Sequence, residues 1–94
     1  MPRPAVELTQ LVDNERVRVT RFNFSPGAET GWHEHGMDYV ITALTDCHML
    51  LVDDAGERRV LVARGECYYR ETGIKHNVIN DGDREMSFVE VELK

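Results

Sequence analysis

Four histidines occur in 94 residues, and two of them stand one residue apart in the stretch Gly31-Trp32-His33-Glu34-His35. Side chains alternate across an extended strand, so His33 and His35 share one face and Glu34 takes the other. The two imidazoles then leave the backbone about 7 Å apart and can converge on one cation. On its own such a pair is a common accident of a solvated strand. A third histidine, His76, opens the apolar segment His76-Asn77-Val78-Ile79 and follows the turn signal Thr72-Gly73. The fourth, His48 in Cys47-His48-Met49-Leu50, has no motif around it and reads as a surface or structural residue.

The elements that must carry these residues are strands. No segment sustains a 3.6-residue apolar period, whereas short runs of Val, Ile, Phe, Tyr and Thr recur between turn signals. The expected strands are Val6 to Leu11, Arg16 to Phe24, Thr30 to His35, Tyr39 to Thr45, His48 to Val52, Arg58 to Val62, Glu66 to Arg70, His76 to Asn80 and Glu85 to Leu93. Between them lie Ser25-Pro26-Gly27, Asp53-Asp54-Ala55-Gly56, Arg64-Gly65, Thr72-Gly73 and Asn80-Asp81-Gly82-Asp83, where Gly and Asx suit tight turns. Asp81-Gly82 is the strongest hairpin signal among them. The pattern predicts one all-β domain over residues 1–94, a small sandwich or barrel.

Seventeen acidic against eleven basic side chains give a net charge of -6, which opposes nucleic acid and anionic lipid as partners. No segment has signal-peptide character or membrane-spanning length, so a cytoplasmic location is expected. Cys47 and Cys67 lack close metal-type spacing, and thiols rather than a disulfide are expected of them. The chain is near the lower size limit for a self-sufficient core, and Met86-Ser87-Phe88-Val89-Glu90-Val91-Glu92-Leu93 is apolar on both parities. A homodimer that buries this strand is therefore expected.

The two histidine segments resemble the motifs of the cupin superfamily. Its first motif is matched by Gly27, His33 and His35, and its second by Gly65, Gly73, His76 and Asn80, each at the required spacing. The resemblance implies a double-stranded β-helix, or jelly-roll, barrel. It also implies a metal ion held inside by His33, His35 and His76. Each ring must be neutral to ligate, with its tautomer fixed by a hydrogen bond to the other nitrogen.

The chain departs from the pattern where the family carries a glutamate ligand, because Tyr39 and Val40 occupy the two candidate positions. Tyr39 shares the parity of His33 and His35 if the strand runs on unbroken, and its phenol would then face the cavity. Asp38, the nearest carboxylate, reaches that face only through a bulge at Gly36. Asp46 and Glu71 replace a motif glycine and a motif proline at turns.

Three neutral imidazoles leave the charge of a divalent ion uncompensated, which favours an anionic ligand such as an enolate, carboxylate or thiolate. Iron(II) is the favoured ion, with nickel, manganese, zinc and copper also compatible with nitrogen ligation. Among aromatic and apolar residues, Trp32, Tyr68, Tyr69 and Phe88 read as core, while Met37 and Tyr39 are expected in the substrate pocket by parity. Arg21, Arg70 and Arg84 suit pairing with a substrate carboxylate, although a solvated face is the commoner role of such residues. Cys67 reads as a small apolar filler.

Three functions are compatible with these residues. One is a non-haem dioxygenase acting on an anionic or enolisable small molecule, with Tyr39 orienting substrate or donating a hydrogen bond. The second is a redox-silent isomerase or lyase. The third is a binding or regulatory cupin that takes a small ligand without chemistry.

Overall fold

The computed structural model describes residues 2–94, and among them the secondary structure is entirely β. The strands are β1 (Glu7–Asp13), β2 (Val17–Phe24), β3 (His33–Glu34), β4 (Asp38–Ala43), β5 (Cys47–Asp53), β6 (Gly56–Val62), β7 (Cys67–Arg70), β8 (Lys75–Asn80) and β9 (Met86–Leu93). They form a five-stranded sheet in the order β1-β2-β9-β4-β7 and a four-stranded sheet in the order β3-β8-β5-β6. All paired strands are antiparallel. Among the described residues no helix is long and apolar enough to cross a membrane.

Alternation builds the core. On β9 the residues Met86, Phe88 and Glu90 are buried and face the interior, and on β4 Tyr39, Ile41 and Ala43 do the same. Phe22, Phe24 and Phe88 form an aromatic cluster with centroid separations of 5.0 to 6.4 Å, giving the offset contacts that aromatic rings favour. Cys47 is buried and Cys67 exposed, both as free thiols. The filler is thus Cys47, because Tyr68 and Arg70 take the inward face of β7 and leave Cys67 outside.

Two expectations of strand pairing also differ from the structure. Asp81-Gly82 is not a hairpin: β8 pairs with β3 and β5, whereas β9 pairs with β2 and β4 in the other sheet. The connection crosses between sheets. Asn80 organises it by donating to the carbonyls of Phe24, Ser25 and Arg84 and accepting from the Gly82 amide. The tight hairpin lies instead at Asp53–Gly56, where Asp53 and Gly56 pair and the Asp53 carboxylate accepts from the Ala55 amide.

The second correction concerns the strand expected over Thr30 to His35, of which only His33 and Glu34 are regular. Glu29 pairs with Ile79, but His33 pairs with His76, so one extra residue is accommodated between them. Gly31 absorbs it with a φ of 83°, a conformation glycine adopts without steric cost, and its amide donates to the Asn77 side chain. This bulge reverses the parity. Thr30 faces the cavity before it and His33 after it, and Trp32 is turned outward with 54% exposure.

Candidate metal centre

The direct cross-strand pairing of His33 with His76 sets two rings side by side on the inner face of the smaller sheet, at the close spacing of opposed strand residues. His35 lies just past the end of β3. Its amide donates to the Ile74 carbonyl, and its own carbonyl accepts from the Gly73 amide and the Thr72 hydroxyl. These bonds hold the ring inward although the segment is no longer a strand.

The three Nε2 atoms converge. His33 Nε2 and His76 Nε2 each lie 3.0 Å from His35 Nε2, and the ligand atoms of the set are all within 4.8 Å of one another. Two nitrogens bound about 2.1 Å from one ion at right angles stand about 3.0 Å apart, so the two 3.0 Å separations fit adjacent positions around a transition metal. The protonation states fit as well. His33 Nδ1 lies 2.9 Å from the Gly31 carbonyl oxygen, which can only accept, so Nδ1 carries the proton and Nε2 keeps its lone pair for the cluster. Burial, reinforced by the neighbouring rings, lowers the pKa of His35 to about 4, and burial with His33 lowers that of His76 to about 4. Both are neutral at physiological pH.

Tyr39 stacks on His35 at 3.9 Å between ring centroids with an interplanar angle of 17°. Burial pushes its phenol far above the ordinary range, helped by Tyr68 and Glu90. It is therefore a hydrogen-bond donor and not a base. The chain breaks its pleat over His35 to Met37 on passing from one sheet to the other, so parity does not carry through the bend. Tyr39 reaches the cavity through the new strand, β4, and Met37 does not line the cavities around the triad. Asp38 is also outside the cluster. Its carboxylate accepts from the Tyr69 hydroxyl at 2.7 Å and the Thr72 amide at 2.8 Å, which hold its pKa down.

Two clefts flank the histidines. One, of about 320 Å³, is lined by Tyr39, Leu51, Arg58, Val60, Tyr68, Arg70, Ile74 and His76. Arg70 lies 4.6 Å over the Tyr68 ring, and neither Arg58 nor Arg70 makes an ion pair among the described residues. The other, of about 250 Å³, includes His33, His35, Glu34, Glu90 and Glu92. Strand order explains the contrast. The inner row Thr20, Glu90, Ile41, Tyr68 and the row Arg18, Glu92, Tyr39, Arg70 run across β2, β9, β4 and β7. The acids of β9 and the arginine of β7 therefore stand two strand spacings, about 10 Å, apart, with Tyr39 between them.

Of the expected arginines, Arg70 lines the basic cleft, and Arg21 is out of phase with the inward Phe22 and Phe24. Arg84 and His48 line a polar cavity of about 420 Å³ at the other end of β8, with Asp46, Asn80, Asp83 and Glu85. This larger space does not touch the triad. Two residues went unnoticed in the sequence, Arg58 and Glu90. A signal existed for each: Arg58 is in phase with Val60 and Val62, and Glu90 with Met86 and Phe88, a charge in an inward apolar series.

The cupin domain family matches residues 20–92. The chain belongs to the cupin family. Similar to this cupin is the β-alanine degradation protein BauB of Pseudomonas aeruginosa, 48% identical over 92 residues, which cover 98% of this chain and 97% of that one. A cupin domain from Bordetella pertussis superposes with a TM-score of 0.97 at 48% identity, covering 100% and 98% of the two chains. The polyketide cyclase RemF from Streptomyces resistomycificus gives a TM-score of 0.75 at 26% identity, covering 99% of this chain and 70% of that one. The jelly-roll architecture expected from the histidine motifs is thus the architecture present.

Proposed function

We propose that this cupin is a small-molecule enzyme of the non-haem dioxygenase type, acting on a small anionic or enolisable substrate at a divalent metal held by His33, His35 and His76. The observation that carries the reading is the convergence of the three Nε2 atoms, with two separations of 3.0 Å. When bound, the ion supplies a positive centre for the substrate anion and, as iron(II), a route to dioxygen chemistry. The chain's own residues do the rest. Arg58 and Arg70 offer guanidinium groups without ion pairs at the cleft that leads to His76 and Tyr39, so an acid is drawn in beside the triad. Tyr39, buried and protonated, donates a hydrogen bond to negative charge developing on the substrate. Phe22, Ile41, Val78 and Phe88 line the interior and exclude water. The β-alanine degradation role in the name of the Pseudomonas relative supports a substrate that is a small acid.

The test is oxygen uptake by iron-reconstituted protein with β-diketones or small thiols, beside His76→Ala. Uptake in the wild type that is lost in the variant supports the reading, and equal rates remove it. The likeness to a polyketide cyclase favours a second reading, a redox-silent isomerase or lyase at the same site. Turnover by zinc-loaded protein without oxygen distinguishes it.

We also propose that two copies pair through the outer face of the larger sheet. There Val12, Val19, Val91, Val40 and Tyr69 form one cross-strand row. Sedimentation should then report twice the chain mass of 10.8 kDa, and the chain mass itself would refute pairing.

A further inference from the structure

Glu90 is not explained by the histidine cluster. It is only 6% exposed, on the inward face of β9 directly across from Thr20 on β2 and Ile41 on β4. Its neighbours along that face are Phe88 and Glu92. No side chain or amide among the described residues donates a hydrogen bond to its carboxyl, and burial and Glu92 alone perturb it. It is not sealed off either, because it lines both the interior space around the three histidines and the acidic cleft. The convergent ligand atoms come from His33, His35 and His76, without Glu90. A buried carboxyl with no protein donor, open only onto these spaces, is available to accept a hydrogen bond from a molecule that enters them.

Resting on the small-acid reading above, we propose that Glu90 accepts a hydrogen bond from an amine or hydroxyl of the ligand. The site would thus select a short bifunctional acid over its simple aliphatic counterpart. The acidic end enters past Arg58 and Arg70 and stays at the histidine cluster beside Tyr39, while the N–H or O–H end points across the interior to Glu90. The interior space is about 10 Å³, close to the room one water needs. The group that reaches Glu90 from the arginine side is therefore no bulkier than an amine or a hydroxyl. A site built around a buried acceptor discriminates strongly against a ligand that lacks the donor, since the acceptor is then left unpaired.

The experiment is calorimetry on zinc-loaded protein at one fixed pH with three probes of equal chain length: β-alanine, 3-hydroxypropanoate and propanoate. The wild type should bind at least one of the two donor-bearing acids about ten- to hundredfold tighter than propanoate. Glu90→Leu should abolish that preference while leaving propanoate affinity within about twofold. Equal affinities in the wild type, no binding of any probe, or a preference that survives in Glu90→Leu would each overturn the proposal. Thermal melting checks that Glu90→Leu is folded. If it is not, Glu90→Gln, which keeps the size and removes the charge, must weaken binding of whichever donor-bearing acid the wild type prefers at least about tenfold, and unchanged affinity overturns the proposal. The dioxygenase reading fails by a different route, oxygen uptake indifferent to His76→Ala, which leaves a donor preference in zinc-loaded protein untouched.

Discussion

The walls on the two sides of the histidine triad differ in charge although both sheets contribute to each. Toward β7 and β6 the wall carries Arg58 and Arg70, beside Tyr68 and Tyr39. Toward β9 it carries Glu90 and Glu92, joined by Glu34. In a chain of net charge -6, two arginines without ion pairs at one cleft reverse the long-range field locally. The acidic cleft does not. The difference gives the site a direction, from a basic mouth, past the three histidines, to a carboxyl that lacks a protein donor.

The most severe way to break this arrangement is to remove the residue nearest the arginines among the ligands. His76→Ala should lower metal affinity about a hundredfold or more, read as loss of bound metal after dialysis. Full retention would show that the three rings do not act as one site. Tyr39→Phe removes the donor between the two walls. It should reduce kcat by about a hundredfold with little change in KM, whereas a KM effect alone would make Tyr39 a packing residue.

Glu90→Gln sharpens the acidic side through stability. An unfolded glutamate releases its proton near 4.5, while burial keeps the folded one protonated to about 7. Between those values the folded state binds more protons, so this group's contribution to stability falls as pH rises and is fully lost above 7. Glutamine has no such titration. The variant should gain on the wild type from pH 4.5 to 7, by up to about 3 kcal/mol, and hold a constant advantage above. His35 and His76 act oppositely, with pKa values lowered to about 4, but they do so in both proteins and cancel in the difference. Melting temperatures across pH 4 to 8 check this, and a pH-independent difference would contradict it.

On the basic side, Arg58→Ala combined with Arg70→Ala should raise KM for an acidic substrate about tenfold and weaken its salt dependence. The mirror pair, Glu34→Gln with Glu92→Gln, should leave KM unchanged or lower. If the two double variants behave alike, the clefts do not differ in function. The smallest effect belongs to Asp38→Asn. It should leave metal content and activity within about twofold, since its carboxylate serves Tyr69 and Thr72.

Much of this was legible in the linear order of residues. Nine short apolar runs between turn signals specify an all-β domain, and His33, His35 and His76 carry the family spacing. Legibility failed where local rules were extended across a break. Alternation carried through the bend at His35 to Met37 predicts Met37 beside Tyr39, and the dipeptide Asp81-Gly82 predicts a hairpin. Its neighbours, however, pair in different sheets.

Alternation is a property of a few consecutive residues, and sequence alone determines it: which side chains share a face, and which runs form strands. Which strands lie side by side depends on contacts between distant segments, and only the folded chain decides that. The bulge at Gly31 that turns His33 inward, the row that sets Tyr39 between Glu92 and Arg70, and the absence of a donor for Glu90 all follow from that pairing. A tight turn sets register within a hairpin, but for strands tens of residues apart no turn does so, and their side-chain neighbours follow from the folded sheet.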